Sequence, residues 1–213
     1  MYTKRRGDLV ANNKLSAYEK SYETIRDMIF NGDLMKGEKI TETGLAKKLG
    51  ISRTPLREAI KRLEQEKLIY NNRIANPTER DYQDIFEMRI LIEKFAVVKA
   101  AQFFTPSDIE ELDSYVEIGY TGEIQEKMDA NKSFHEKIVN GTKNQLMIEY
   151  FNQMQSIIYL FRKTVLDYNR PGLIDEHRDI VKAIKDKNLT EAEQLIEAHL
   201  KADLEFALYY LRE

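Results

Sequence analysis

Apolar residues recur along this chain at three- and four-residue spacing, and the breaks between runs carry glycine, asparagine or proline. Tyr18, Tyr22, Ile25 and Ile29 share one face and predict a helix over 16–31. The stretch "NGDLMKGEKI" then supplies turn residues and an extended exit. Thr41 is a candidate N-cap for a short second helix, with Leu45, Ala46 and Leu49 inward and Gly50 as its stop. A third helix begins near 52–54. Pro55 falls in its first turn, where the missing N–H costs nothing, and Leu56, Ala59, Ile60 and Leu63 form its apolar stripe. After the polar join "NPTERDYQD", with Thr78 as a cap, the helical period runs nearly to the end. It predicts six helices at about 79–104, 107–118, 123–139, 144–168, 172–186 and 190–211. Pro106 and Ser107 open one of them, while Gly119, Gly122, "NGTKN", "NRPG" and Asn188 mark the breaks. No strand-like alternation of useful length appears in this part, and no internal repeat. The first of the six, "DIFEMRILIEKFAVVKAA", is apolar around much of its circumference. It either lies central within one chain or faces both a core and a partner subunit.

Composition adds little until it is divided along the chain. The 213 residues, 42% hydrophobic and 32% charged, suffice for one or two domains with a real core. Cysteine is absent, which excludes disulfides and thiolate metal sites and fits a reducing cytoplasm. No apolar run reaches the roughly 20 residues that span a bilayer, and the basic start "MYTKRRGDLVANNKL" does not read as a signal peptide. The net charge of −3 conceals an asymmetry. Through Asn76 there are 16 basic against 10 acidic residues, and from Pro77 onward 17 against 26. A basic first third favours a polyanion as partner. The expected organisation is a flexible basic extension at 1–15, a winged helix-turn-helix at 16–76 and an all-helical domain at 77–213. The fold class is mostly α.

In the third helix Arg53, Arg57 and Lys61 are spaced by four and lie opposite the apolar stripe. A short helix, a tight Gly turn and a second helix with a cationic outer face describe a helix-turn-helix. Arginine near the start of such a helix can reach guanine O6 and N7 with two parallel hydrogen bonds. The alternative is a solvated charged face whose arginines pair along the helix, Arg57 with the neighbours of Glu64.

The residues of this region resemble a known family. "LAKKLGISRTPLREAIKRLEQEKLI", with the preceding "YEKSYETIRDMIFNGDLMKGEKITE", resembles the DNA-binding signature of the GntR family of bacterial transcription regulators. The resemblance implies that Arg53 and Arg57 contact bases or phosphates and that Thr54 contacts a phosphate. Two features depart from it. Thr43 stands where the second helix often carries an arginine. The wing is reduced to "YNNRIANPT", with Arg73 its only cation.

The three histidines, His135, His177 and His199, all fall in predicted helices. Asn131 lies about 40° around the helix from His135, on the same face. Neutral imidazoles and a side-chain oxygen are ordinary ligands for a divalent metal, yet three scattered histidines are also common as plain core or surface residues. "FEMRILIEKFAVVKAA", "NKSFHEKIVNGTKNQLM" and "EHRDIVKAIKDKNLTEAEQLIEAHL" together resemble the FCD effector domain of the FadR subfamily of GntR regulators. That resemblance implies a metal held by Asn131, His135, His177 and His199, with Zn first and Ni or Mn as alternatives. Asn131 replaces the usual Asp, which removes a negative charge and predicts a more cationic, weaker metal site. Asp129, about 120° around the helix from His135, is no substitute. The resemblance also implies a small carboxylate effector, clamped by Arg89 and, less directly, by Arg162. The other role open to Arg89 is an ion pair with Glu93 at i,i+4.

The resulting expectation is a cytoplasmic, homodimeric transcription regulator, a repressor, bound to a short palindromic double-stranded operator. Its affinity would be set by an effector that biases the separation of the two DNA-binding domains. A metal-dependent enzyme is the competing class, and a purely structural metal site a third. Against the enzyme, Glu136 projects about 100° away from His135, and no hydrolase motif with two His one turn apart is present.

Overall fold

The computed structural model describes the backbone of residues 16–167 and 170–211, and their side chains except at 160–167 and 211. The basic extension expected at 1–15 lies outside the described residues. The chain divides into two compact units, Met1–Glu64 with Ile69–Ile74, and Gln65–Leu68 with Ala75–Glu213.

The first unit is built on α1 (Ala17–Asn31), α2 (Glu42–Leu49) and α3 (Arg53–Gln65), followed by β1 (Ile69–Tyr70) and β2 (Arg73–Ile74). Local chemistry sets the helix ends. Ser16 and Glu19 form a capping box at the start of α1, and the Thr41 side chain accepts from the Gly44 amide at the start of α2. Gly50 ends α2 at φ 66°, a left-handed conformation that suits glycine and turns the chain sharply into α3. Ile25, Leu56, Ala59 and Leu63 are fully buried between the helices. The wing is as short as the sequence suggested. Asn71 and Asn72 both have positive φ, 50° and 57°, and close β1 onto β2 as a two-residue hairpin, with Ile69 opposite Ile74 and Tyr70 opposite Arg73. Lys39 bridges to Arg73 on the other side. Strands of two residues leave no alternation for a sequence pattern to reveal.

The second unit holds α4 (Glu79–Phe103), α5 (Pro106–Thr121), α6 (Ile124–Asn140), α7 (Gln145–Asp167), α8 (Leu173–Lys185) and α9 (Leu189–Leu211). Thr78 caps α4 with a capping box to Asp81, and Thr105 does the same for α5 with Asp108. The helix α4 packs against α6, α7, α8 and α9 and forms the centre of this unit. Its inward face is Phe86, Arg89, Glu93, Ala96, Val97 and Ala100, at helical spacing. Its other face exposes Met88, Leu91, Phe95 and Phe103. The wide apolar circumference therefore has one side in the core and one side uncovered in the single chain.

One expected break is absent. Gly119 does not interrupt the chain but lies buried within α5, which runs on to Thr121. A Cβ built there would sit 2.7 Å from Ile174 Cδ1 and 3.2 Å from its Cγ2. Glycine at this position thus lets α8 approach α5 closely, and α8 carries His177. Gly119→Val should lower the unfolding free energy by about 1–3 kcal/mol, since overpacking outweighs the better helix propensity. Denaturant titration reading an unchanged or higher midpoint would show that the close approach is not needed.

Candidate functional site

Two groups of polar side chains stand out, one in each unit. On α3, Arg53, Thr54, Arg57 and Lys61 are all exposed, opposite the buried Leu56, Ala59, Ile60 and Leu63. Arg53 and Lys61 have no ion pair among the described residues. Arg57 does not pair along its own helix. It reaches back to α2, where Nε and Nη2 bond the Glu42 carboxylate at 3.1–3.2 Å. The pair is largely exposed, so its effect is to orient the guanidinium more than to stabilise the fold. Glu42 was not legible as a functional residue because it lies on another helix. Arg62 is occupied by the unit's own packing, its guanidinium 3.8 Å above the Tyr22 ring. In the wing, exposed Arg73 donates from Nη1 to the Gly37 carbonyl at 2.9 Å, which fixes its direction. Thr43 is exposed on α2 and brings no cation there.

In the second unit α6 supplies Asn131 and His135, α8 supplies His177, and α9 supplies His199, all buried. One nitrogen from each histidine falls within 4.8 Å of the others. His177 Nε2 and His199 Nε2 are 3.2 Å apart. Two nitrogens bound at about 2.0–2.1 Å to a tetrahedral ion are about 3.3–3.4 Å apart, so this spacing suits a shared metal. The rings are held from behind. His135 Nδ1 lies 2.6 Å from Glu93 Oε2, and His199 Nδ1 lies 2.8 Å from Glu176 Oε2. With Nδ1 protonated toward its carboxylate, each ring keeps Nε2 as the acceptor, the usual outer arrangement of imidazole ligands, and Arg170 Nη2 also lies 3.3 Å from His199 Nδ1. Phe134 stacks on the His177 ring at 4.0 Å between centroids. Asn131 Oδ1 is buried and accepts no hydrogen bond, whereas Asp129 is exposed and accepts from Gln125. An orphaned buried oxygen is uncommon and marks the place of an absent partner. On donor type and spacing the three histidines fit a divalent cation, and Asn131 on the same helix as His135 adds a buried amide oxygen of suitable donor type.

Around the cluster stands negative charge that the sequence did not disclose. Glu93, Glu176 and Asp203 stand against the imidazoles, from α4, α8 and α9, with Asp203 Oδ2 3.6 Å from His199 Nε2. Two guanidiniums balance them. Arg89 bonds Glu93 through Nε at 2.8 Å, and buried Arg170 pairs with Glu176 and, 2.8 Å away, with Asp203. Burial pushes the Glu176 carboxyl upward, but hydrogen bonds from His199 and Arg170 outweigh it and hold it at about 2. Arg89 thus makes its ion pair and still has Nη1 and Nη2 buried without a hydrogen-bond partner. The side chain of Arg162, on α7, lies outside the described residues. Arg170 was read in the sequence only as part of a chain break. Asp203, four residues after His199, was the one further acid whose helical spacing could have disclosed it. Glu136, beside His135 in sequence, pairs with Lys132 at 3.7 Å.

Comparison with known proteins identifies both units by family. Residues 17–73 match the family of bacterial regulatory proteins, gntR family, and residues 84–202 match the FCD domain. YdhC of Bacillus subtilis (strain 168), an uncharacterized HTH-type transcriptional regulator, is 30% identical over 208 residues, covering 92% of this chain and 93% of its own. The chain belongs to the gntR family. The FCD match fits the FadR subfamily. The gluconate operon transcriptional repressor of Bacillus licheniformis is 26% identical across 77% of this chain and 74% of its own. Among solved structures, E. coli McbR/YncC has the same fold, with a TM-score of 0.74 at 19% identity over 93% of this chain and 100% of that chain. This gntR-family chain is therefore a DNA-binding transcription regulator and not an enzyme. No described helix is long and apolar enough to cross a membrane.

The Glu42–Arg57 pair generates an expectation for that role. Glu42→Gln should leave the unfolding midpoint unchanged while raising affinity for non-operator duplexes, because an anion is removed beside the phosphates. Thermal melts and low-salt binding to a random duplex read the two effects. A lowered affinity for random DNA would assign Glu42 an attractive role instead.

Proposed function

We propose that this gntR-family regulator is a repressor, acting as a homodimer on a short palindromic operator. Its operator affinity is set by a small carboxylate bound at a metal-centred pocket in the FCD domain. One observation carries the reading. Three buried imidazole nitrogens converge, and one of the rings is joined through one carboxylate to a buried guanidinium whose Nη1 and Nη2 have no hydrogen-bond partner among the described residues. Imidazole and amide ligands suit Zn2+, with Ni2+ or Mn2+ as alternatives. His135, His177, His199 and Asn131 would hold the ion, which supplies a positive charge for the effector carboxylate. Arg89 would clamp that carboxylate, with Arg162 as a further candidate.

On the DNA side, Arg53 and Arg57 are assigned to base edges, Thr54 and Lys61 to phosphates, and Arg73 to the backbone beside the short wing. The repressor role is favoured by the printed function of the gluconate operon relative. The exposed Met88, Leu91 and Phe95 stripe of α4 is the surface assigned to the second subunit, and two-fold protein symmetry calls for a two-fold operator. An operator-binding protein works where the chromosome is, hence in the cytoplasm.

Arg53→Ala and Arg57→Ala should each weaken specific operator binding about 5- to 150-fold, the worth of one bidentate base contact, with fold and dimer retained. Quantitative footprinting reads this, and full operator affinity in both variants would remove α3 from the recognition role. Calorimetry with Zn2+ should find one ion per chain, and Asn131→Asp should tighten its binding by adding charge at the orphaned position. A wild-type chain that takes up no Zn2+ at neutral pH, and whose His177→Ala variant still responds to effector, would mean the pocket works without metal.

A further inference from the structure

Among the described residues, Glu93 is the one side chain recorded against both Arg89 and a histidine of the proposed pocket. It lies on α4 with no exposed surface, and its two oxygens serve different partners. Oε1 accepts from Arg89 Nε at 2.8 Å, and Oε2 accepts from His135 Nδ1 at 2.6 Å. Arg89 is equally buried, with its guanidinium 4.8 Å from the Phe86 ring. Nε is spent on the counter-charge, while Nη1 and Nη2 have no hydrogen-bond partner among the described residues. A buried guanidinium ordinarily satisfies far more of its five donors, so these two nitrogens keep donor capacity for a further acceptor.

We infer that Glu93 is a positioning residue through which metal binding at His135 and carboxylate binding at Arg89 Nη1 and Nη2 strengthen each other. The inference rests on the metal and carboxylate reading above. A cation on His135 Nε2 polarises the ring and makes Nδ1–H a stronger donor, which draws the Glu93 charge toward the imidazole. Arg89 is then less screened and presents more positive charge to an incoming carboxylate. In the other direction, an anion on Nη1 and Nη2 neutralises Arg89 and leaves more of the Glu93 charge to His135, which raises its basicity toward the metal. The two effects must be equal, because coupling between two bound ligands is reciprocal. Low local dielectric makes a single shared carboxylate an effective link. A purely structural Arg89–Glu93 pair behaves differently, since breaking it from either side would damage both sites alike.

The test uses the full chain, Zn2+ alone by calorimetry, and acetate as the minimal carboxylate by NMR titration of metal-free and Zn-loaded protein. In the wild type, Zn2+ loading should tighten acetate binding. Glu93→Gln should weaken Zn2+ binding about 10- to 100-fold, as loss of an outer carboxylate does. The same variant should bind acetate more tightly than the wild type when both are metal-free, and Zn2+ should tighten its acetate binding by a smaller factor than in the wild type, the remainder being direct attraction to the ion. Arg89→Met should lose acetate binding while its Zn2+ affinity holds or rises. Weaker Zn2+ binding in Arg89→Met, or weaker acetate binding in metal-free Glu93→Gln, overturns the coupling. Should Glu93→Gln fail to fold, Arg89→Met decides alone. A wild type that binds Zn2+ and acetate with no mutual effect overturns the coupling only, whereas one that takes up no Zn2+ overturns the pocket reading on which it rests.

Discussion

An arginine and a glutamate without exposed surface, Arg89 and Glu93, constrain the whole FCD domain. Each charge would be prohibitively costly alone in such a place, and losing one partner of a buried pair typically costs about 3–5 kcal/mol. They lie one turn apart on α4, the helix that packs against α6, α7, α8 and α9. Glu93 still has a lone oxygen to satisfy, and His135 on α6 satisfies it at 2.6 Å. The position of α6 against α4, and with it the direction of the first imidazole, follows from that requirement.

The other side of the histidine cluster repeats the device with different residues. Arg170, just before the Pro171–Gly172 turn into α8, pairs with Glu176, and Glu176 bonds His199 Nδ1. Guanidinium, carboxylate and imidazole follow one another on both sides, so each outer histidine keeps Nε2 as the acceptor. Close packing completes the frame. Gly119 admits Ile174 on α8, and Phe134 lies flat on His177. Asn131 brings no charge, but Glu93, Glu176 and Asp203 place carboxylates against the imidazoles.

In the DNA-binding unit the same economy of contacts is exposed to solvent. The apolar stripe of α3 is consumed by the core, so its cations necessarily face outward. What the pairing of Arg57 with Glu42 adds is direction, from a helix that itself carries Thr43 in place of a cation. The hairpin of Asn71 and Asn72 is too short to extend far, and Arg73 is tied back to Gly37.

Helix positions were legible in the sequence because burial repeats every three or four residues. Thr41, Thr78 and Gly50 announced their caps by local chemistry. Gly119 misled, since a glycine that breaks a helix and one that admits a neighbour look alike until the neighbour, Ile174, is in place. The cationic face of α3 and the four candidate ligands were likewise legible, from spacing and from resemblance to known regulators. The partners of those residues were not. Glu42 with Arg57, Glu93 with His135, and Glu176 and Arg170 with His199 each join residues from different segments. Periodicity within one helix states which way a side chain points but not what stands opposite. Whether an imidazole offers Nδ1 or Nε2, and whether a buried arginine keeps donors in reserve, is decided only when the helices are packed and each buried charge has found its counterpart.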